Sequence, residues 1–363
     1  MSGDKTFDFT VTRSAHPVAD AKREAILANP GFGKAFTDHM VMIDWNIDKG
    51  WYNPRVVPYG PLSLDPATSV LHYAQEIFEG MKAYRSTDNV VRLFRPEANA
   101  ARFNQSAARM AMAQLPEDLF VEAVNQLVRI DRGWIPTGEG QSLYLRPFMF
   151  ANGVYLGVKP SSDYLFMVIA SPVGSYFSGK AVNVWVSENY TRAAPGGTGA
   201  AKCGGNYAAG LLAQAEASEH ECDQVLFLDA VERKWVEEMG GMNIFFVRDD
   251  KTIVTPPLGT ILPGITRNAV MTMAREQGYT VVEEPLAIDQ IYADAASGRI
   301  TEAFACGTAA VITPIGAFRH AAGTCRIGLD GSNGPVTGAL RDGLVNVQRG
   351  TAPDTHGWVH TID

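Results

Sequence analysis

The sequence predicts a mixed helix-and-strand fold, α+β or α/β, with two domains, and three observations lead to this prediction. The chain has 363 residues, which at about 150 residues per domain is enough for two domains. Strand-like and helical runs alternate in the first half, whereas four strand-like runs follow one another closely in the second half. Successive strands with tight turns favour an antiparallel-rich or pseudo-barrel core over a doubly wound sheet.

In the first half, two helices and two long strands give the clearest patterns. Pro96 begins a helical stretch that runs to Pro116, because proline is favoured in the first turn of a helix and ends one elsewhere. A second helix is predicted over residues 117–132. The apolar runs at 142–151 and 163–173 are separated by Gly, Pro and Ser, which indicates two strands of one sheet.

The predicted domain boundary lies near the middle of the chain. Residues 171–180 form a short segment rich in Gly, Ser and Pro, a composition typical of interdomain linkers. We therefore predict an N-terminal domain over residues 1–170 and a C-terminal domain over residues 181–363.

The second half is predicted to contain short elements bounded by Gly and Pro. The predicted strands are residues 181–188, 224–230, 235–240, 242–247, 252–257 and 280–285, and the predicted helices are residues 206–221, 266–277 and 288–296. A long apolar run, residues 302–315, follows them.

Charge and hydropathy exclude several classes of function. The 31 Lys and Arg against 39 Asp and Glu give a formal net charge of -8, and no basic run could neutralise nucleic-acid phosphates. No window approaches the roughly 18 apolar residues of a membrane span, and the N-terminus lacks the order of a signal peptide. We expect no nucleic-acid or membrane partner and a cytoplasmic location.

No metal site is expected from the cysteines and histidines. The four cysteines lie far apart in the sequence, at Cys203, Cys222, Cys306 and Cys325, so no zinc or redox motif can be written. His356 and His360 have helical spacing, but Gly357 stands between them where a zinc protease motif would need glutamate.

A glycine-dense loop at residues 196–205 contains one lysine, Lys202, and leads into a predicted helix. A P-loop would need Gly at Ala201 and Ser or Thr at Cys203, so the nucleotide-binding pattern fails. A lysine between glycines could instead be an amine that a bulky aldehyde cofactor approaches closely. On its own, such a lysine is more often a solvated surface residue.

Other parts of the sequence supply what a pyridoxal phosphate site would need. Such a site requires an acid facing the ring nitrogen and backbone N–H groups at a helix start for the phosphate. Glu237 and Glu238 lie in an otherwise apolar run, and a turn at residues 262–267 precedes a predicted helix. Residues 307–309 interrupt an apolar run and offer a second turn.

Together these residues resemble the class IV, fold type IV, pyridoxal phosphate aminotransferases, and most closely the branched-chain amino acid aminotransferases. The family signature runs from Glu238 through Asn243 and Thr255 to Gly264 and Arg267. Further blocks similar to the branched-chain enzymes lie at residues 32–40, 72–85, 93–103, 142–148, 171–177, 196–208 and 305–314. The resemblance covers roughly residues 30 to 350 and implies a smaller α/β N-terminal domain, a short linker and a larger C-terminal pseudo-barrel domain.

The resemblance also implies pyridoxal 5'-phosphate as cofactor. Lys202 corresponds to the Schiff-base lysine, which also moves the α-proton, and Glu238 to the acid that keeps the ring nitrogen protonated, whereas Glu237 is expected to face elsewhere. Tyr207 is similar to the phenol that binds the ring oxygen. The phosphate is expected to bind to Arg102, Ile265, Thr266 and Thr308.

For the substrate, the resemblance implies transamination of L-leucine, L-isoleucine and L-valine with 2-oxoglutarate by a homodimer. The residues expected to line the apolar pocket and its polar edge are Phe32, Tyr73, Phe78, Tyr144, Arg146 and Tyr176. The turn at Thr308 and Ala309 is expected to bind the substrate α-carboxylate. Gly241 stands where some relatives have Thr, so one side-chain donor near Glu238 is missing.

Two alternatives stay open from the sequence. One is another fold type IV chemistry, a D-amino acid aminotransferase or an aminodeoxychorismate lyase, against which the blocks at residues 72–85 and 196–208 speak. The other is a binding module that uses the glycine-rich loop and the helix starts only to hold an anion.

Overall fold

Helices and strands are mixed throughout residues 7–86, 88–176, 180–328 and 334–363, the residues that a computed structural model describes. The strands are β1 (Thr10–Val11), β2 (His39–Asn46), β3 (Gly50–Pro58), β4 (Glu76–Phe78), β5 (Met81–Arg85), β6 (Val91–Phe94), β7 (Ser142–Ala151), β8 (Asp163–Val173), β9 (Val182–Ser187), β10 (Gln224–Leu228), β11 (Val236–Met239), β12 (Met242–Arg248), β13 (Thr252–Thr255), β14 (Thr280–Glu283), β15 (Ile300–Gly307), β16 (Val311–His320), β17 (Gly323–Arg326) and β18 (Val359–Ile362). The helices are α1 (Asp20–Ala28), α2 (Val70–Tyr73), α3 (Pro96–Arg109), α4 (Glu117–Ile130), α5 (Gly204–Ala209), α6 (Leu211–Glu219), α7 (Ile265–Glu276), α8 (Ile288–Ser297) and α9 (Pro335–Arg349).

The chain divides into two compact units. The first contains Met1–Tyr176, Ala201–Gly204 and Gln348–Asp363, and the second contains Phe177–Ala200 and Gly205–Val347. Each unit has its own nine-stranded sheet.

The first unit thus includes two segments that the sequence analysis assigned to the C-terminal domain. The C-terminal segment belongs to it because β18 adds to the edge of the first sheet by antiparallel pairing with β6. The segment containing Lys202 belongs to it because β4 donates a backbone hydrogen bond to that segment. Of the linker predicted at residues 171–180, residues 177–179 lie outside the described residues, so the linker stays a prediction.

In the first unit, the strand order is β1-β3-β2-β8-β7-β5-β6-β18, and β4 pairs separately with β7. The two long strands β7 and β8 pair along their whole length and have the bounds predicted from the sequence. α3 and α4 pack against this sheet through Phe103, Phe120 and Phe166, whose ring centroids lie 5.3 to 5.8 Å apart. These rings are fully buried, so they form the centre of the first core.

In the second unit, six strands close on themselves. Neighbouring strands pair in the order β11-β10-β9-β16-β15-β12, and β12 pairs again with β11. β13 and β14 extend this sheet beyond β12. A ring of pairings leaves few open edges, and it agrees with the predicted pseudo-barrel.

Several predicted elements end elsewhere than expected. α3 stops at Arg109, because Ala111 has a left-handed backbone conformation (φ 53°) that a helix cannot continue through. The helix predicted over residues 206–221 is two helices that meet at Gly210. The apolar run at 302–315 lies in the hairpin of β15 and β16, and the turn predicted at residues 307–309 lies at the bend between the two strands. Among the described residues, no helix combines the length and the apolar composition needed to cross a membrane.

Candidate active site

The backbone around Lys202 is held from two elements of the first unit. The Phe78 N–H in β4 donates to the Lys202 carbonyl oxygen at 3.0 Å. The Lys202 N–H donates to Ser106 Oγ of α3 at 2.9 Å. The next residue, Cys203, is buried in the first core. The backbone of this lysine is therefore fixed in position, and its side chain is only partly exposed.

The Lys202 amine and the Arg146 guanidinium both lie against the ring of Phe78. Lys202 Nζ is 4.9 Å from the ring centroid, and Arg146 Cζ is 4.7 Å from it. Both distances are within the range of cation–π contacts. One aromatic ring thus contacts both an amine and a guanidinium that could receive an anion.

Three further aromatic residues that the sequence analysis selected continue this cluster. The Phe32 ring lies 5.6 Å from the ring of Tyr144 and 4.9 Å from that of Tyr176. The Tyr144 hydroxyl accepts a hydrogen bond from Arg146 Nη2 at 3.2 Å. Burial raises the pKa of Tyr176, and the neighbouring Tyr144 raises it further. The cluster thus combines apolar rings with the hydroxyls of two tyrosines.

Arg146 Nε has a property expected of a ligand-binding group. This atom is buried and has no hydrogen-bond partner among the described residues. An unpaired buried N–H of a charged group costs free energy. An anionic ligand would remove that cost.

Tyr73 is not part of this cluster in the single chain. It ends α2, is 39% exposed, and its ring lies beside His72. The segment before α2 adjoins the connection between β7 and β8, because Thr68 bridges to Val154. The exposure of Tyr73 leaves its predicted pocket role without a contact inside one chain.

Arg102 forms a buried ion pair with Glu79. Arg102 Nε donates to Glu79 Oε1 at 2.8 Å, and Nη2 donates to Oε2 at 2.7 Å. Both side chains are almost completely buried. This two-point contact fixes the direction of the guanidinium plane. Glu79 lies in a block that carried the resemblance, yet the sequence analysis assigned it no role.

In the second unit, Glu238 is a buried acid surrounded by donors. Its Oε1 accepts from the Leu262 N–H at 2.8 Å and from Asn243 Nδ2 at 3.4 Å. Its Oε2 lies 3.2 Å from Arg192 Nε. Donors and a neighbouring cation favour the ionised form of a carboxyl group. A carboxylate held in this way is suited to keep a ring nitrogen protonated.

Arg192 links this acid to its neighbour in β11, Glu237. Arg192 Nη2 donates to the Thr260 carbonyl at 2.7 Å, and the Thr260 hydroxyl donates to Glu237. Burial raises the pKa of Glu237, although Thr260 and the charge of Arg192 oppose this. Adjacent strand residues face opposite sides, which supports the prediction that Glu237 faces elsewhere than Glu238. The sequence did not predict a role for Arg192. Its position shortly before the glycine-rich loop was the one signal, and a single arginine near a loop does not identify a site.

The other cofactor residues selected from the sequence lie at turns and helix starts of the second unit. Ile265 begins α7 and Thr266 follows it, so their N–H groups belong to the four at a helix start that no helical carbonyl accepts. Thr308 and Ala309 lie in the tight turn between β15 and β16. Tyr207 lies in α5, and a Cβ at Gly241 would be 3.1 Å from its ring. Tyr207 therefore lies near the turn that follows Glu238.

The histidines considered for a metal have other contacts. His360 Nδ1 lies 3.1 Å from Glu97 Oε1, and the His356 ring stacks on Trp358 at 4.1 Å. Within the described ranges, no group of three or more His, Cys, Asp or Glu side chains is arranged to hold a metal ion.

Comparison with known proteins assigns this arrangement to a family. The model of the class IV aminotransferases matches residues 76–318. A probable branched-chain-amino-acid aminotransferase of Streptomyces coelicolor is 58% identical, with 96% of this chain and 97% of that protein covered. A branched-chain-amino-acid aminotransferase of Mycolicibacterium smegmatis is 55% identical, with 98% of both chains covered.

Solved structures agree with the sequence relatives. The branched-chain amino acid aminotransferase of Escherichia coli is similar with a TM-score of 0.72 and 30% identity, over 90% of this chain and 99% of that one. The branched-chain amino acid aminotransferase of Thermobaculum terrenum, in its PLP-form (holo-form), is similar with a TM-score of 0.73 and 25% identity. The match covers 90% of this chain and 98% of that one.

The fold and the site define a class IV aminotransferase, an enzyme that uses pyridoxal 5'-phosphate. The chain belongs to that family and, within it, to the branched-chain-amino-acid aminotransferases. The predicted family, fold class, enzyme class and cofactor are thereby confirmed.

Proposed function

We propose that the chain transfers the amino group of L-leucine, L-isoleucine or L-valine to 2-oxoglutarate, which gives L-glutamate and a branched 2-oxo acid. The observation that carries this proposal is the contact of the Lys202 amine and the Arg146 guanidinium with one Phe78 ring. It combines an amine for the reaction, an apolar wall for a branched side chain and a cation for the second carboxylate of the acceptor. The names of the relatives support the same substrates.

The residues present fit pyridoxal 5'-phosphate. Glu238 is a buried carboxylate with donors around it, and Arg102 is a buried cation whose direction is fixed by Glu79. The N–H groups of Ile265 and Thr266 at the start of α7, together with Thr308, suit a phosphate. We assign the ring nitrogen to Glu238, the ring oxygen to Tyr207, and the phosphate to Arg102, Ile265, Thr266 and Thr308.

The cofactor, when bound, supplies an electron sink for the pair left by breaking the Cα–H bond. Lys202 Nζ would take the proton from the substrate Cα and hold it for the return step. The Glu238 carboxyl, which accepts from the Leu262 N–H and lies beside Arg192, would hold a proton at the ring nitrogen. The Tyr207 hydroxyl donates a hydrogen bond that orients the ring.

Substrate recognition follows from the remaining residues. The rings of Phe32, Phe78 and Tyr144 exclude water from the aliphatic side chain. Arg146 Nε, which lacks a protein partner among the described residues, receives the distal carboxylate of 2-oxoglutarate. The turn at Thr308 and Ala309 binds the α-carboxylate. The same pocket thus accepts an apolar side chain in one half-reaction and a charged one in the other.

The proposal is tested with Lys202→Ala. We expect this variant to bind the cofactor without the covalent link and to lose turnover with L-leucine. Near-normal turnover would contradict the assignment. Assaying L-leucine against D-alanine separates it from a D-amino acid aminotransferase, and release of pyruvate from aminodeoxychorismate would indicate the lyase.

We also propose that the enzyme is a homodimer. Apolar side chains are exposed in α2 and in the connection between β7 and β8, two segments that adjoin at the bridge of Thr68 and Val154; they are Leu71, Tyr73, Val154, Leu156 and Val158. Exposed apolar patches of this kind mark interaction surfaces, and a second copy would bury Tyr73 together with them. Light scattering of Val158→Asp should show monomers where the unaltered protein shows dimers. The cytoplasmic location and the absence of a nucleic-acid partner stay predictions.

A further inference from the structure

Glu76 lies on the same side of β4 as the ring that contacts the reactive amine. It is the first residue of β4, two positions before Phe78. Alternate residues of a strand point to the same face. The Glu76 carboxylate is thus placed beside the cluster of Lys202, Phe78 and Arg146, although neither the signature nor any predicted role included it.

The carboxylate contacts the segment that carries the lysine. Glu76 Oε1 accepts a hydrogen bond from the Gly204 N–H, two residues after Lys202. A Cβ at Gly204 would collide with this carboxylate, so glycine at position 204 leaves the acid room to reach the backbone. Three hydrogen bonds therefore hold the short segment. The Phe78 N–H donates to it, and Ser106 Oγ and the Glu76 carboxylate accept from its N–H groups.

We propose that Glu76 is a positioning residue for Lys202, acting through the Gly204 N–H. The inference rests on the proposed role of Lys202 as the reactive amine. Two of the three hydrogen bonds fix the lysine's own peptide groups, and the Glu76 bond fixes the chain just beyond it. Loss of this bond lets the backbone of residues 202–204 shift, and a displacement of about 1 Å in a reacting group can cost up to about 100-fold in rate.

The electrostatic surroundings agree with a specific role for this side chain. Burial raises the pKa of Glu76, whereas the Gly204 N–H and the charge of Arg146 lower it. The carboxylate therefore interacts with Arg146 as well as with the lysine segment. An acid that is half-buried, bonded to a backbone N–H and close to an arginine is poorly explained as a solvated surface charge.

The experiment compares Glu76→Ala with Glu76→Gln in the holoenzyme. The amide oxygen of glutamine can still accept the Gly204 N–H, whereas alanine cannot. We expect Glu76→Ala to lower kcat with L-leucine about tenfold while its KM changes less than about threefold. It should also slow covalent capture of pyridoxal phosphate by the apoenzyme, followed by visible absorbance. Glu76→Gln should restore both values to within about threefold of the unaltered enzyme.

Gly204→Ala tests the same bond without removing the acid. The three atoms nearest to the new Cβ all belong to the flexible end of the Glu76 side chain, so we expect the protein to fold and the carboxylate to move away. Gly204→Ala should therefore reproduce the kcat and capture defects of Glu76→Ala. The double variant should be no worse than either single one, because both changes break one interaction. The matched control is Glu122→Ala, which removes an acid paired with half-exposed Arg129.

Three results would overturn the proposal. They are normal kcat and capture rate in both Glu76→Ala and Gly204→Ala, a Glu76→Gln defect equal to that of Glu76→Ala, or additive losses in the double variant. Failure of the proposed function itself has a different signature, since Lys202→Ala would then keep turnover. The positioning role of Glu76 and the proposed transamination are therefore tested by different variants.

Discussion

Arg146 and Tyr144 are two residues apart in β7 and their side chains are hydrogen-bonded, with Arg146 Nη2 3.2 Å from the Tyr144 hydroxyl. Residues two apart in a strand share a face, so one short sequence presents a cation and a phenol to the same space. The contact occupies one guanidinium nitrogen and leaves Nε buried without a protein partner among the described residues. This arrangement is suited to an anion.

The first prediction concerns Arg146→Gln. We expect the KM for 2-oxoglutarate to rise about 30-fold and the KM for L-leucine to change less than about threefold, because only the acceptor has a second carboxylate. Steady-state kinetics with each substrate varied would measure both values. Arg129→Gln is the control, since this arginine is half-exposed and pairs with Glu122. Equal changes for the two substrates would show that Arg146 does not discriminate between them.

The second prediction concerns Glu79→Gln. The amide cannot form the charged two-point contact with Arg102, so the guanidinium loses its fixed direction. We expect the Kd for pyridoxal phosphate, measured by absorbance titration of the apoenzyme, to rise about tenfold. Glu97→Gln, at an exposed acid near the start of α3, should leave the Kd unchanged. An unaltered Kd in Glu79→Gln would contradict the proposed role of Arg102 in binding the phosphate.

Much of the fold could be predicted because its elements are long and strongly patterned. β7 and β8 have the predicted bounds, since both are apolar runs between breakers. The early end of α3 could not be predicted. Alanine is a good helix former, and the left-handed conformation of Ala111 depends on packing that the sequence does not reveal. Lys202 could be predicted as a site residue because glycines surround it in the sequence. Glu76 could not be predicted, because its partner Gly204 is 128 positions away.

The third prediction concerns pH and Asp229 in the loop after β10. Burial raises the pKa of Asp229, but N–H groups from Glu232, Trp235, Lys234 and Val231 outweigh it and bring the pKa to about 2. A pKa lowered from 3.8 means that the folded state favours the ionised form. The stabilisation is therefore fully present above about pH 4 and is lost as the pH falls to about 2.

We accordingly expect Asp229→Asn to be less stable than the unaltered protein at pH 7 and the difference to disappear near pH 2. The effect is about 1 kcal/mol or less, because Asp229 is only partly buried and its charge is screened by solvent. Urea unfolding at several pH values would measure it. A difference that is constant from pH 7 to pH 2 would show that the charge of Asp229 is not responsible.

The last prediction concerns the start of α9, which Glu302 of β15 caps from outside the helix. Glu302 accepts from the Val336 N–H at 3.0 Å, from the Thr337 N–H at 2.8 Å and from Thr337 Oγ1 at 2.6 Å. The first N–H groups of a helix have no carbonyl partner within the helix. Glu302→Ala would leave these buried donors unsatisfied, and we expect it to lower the free energy of unfolding by about 2–3 kcal/mol.

Glu302→Gln should lose less than half as much, because one side-chain oxygen can still accept from the helix. Glu284→Ala is the control, since Glu284 is a half-exposed acid of the same unit that pairs with Arg248. A surface ion pair of this kind contributes less than about 1 kcal/mol. Denaturant unfolding of the three variants would decide the point. If Glu302→Ala and Glu284→Ala lost equal stability, the cap would contribute nothing beyond its charge, and α9 would depend on its packing alone.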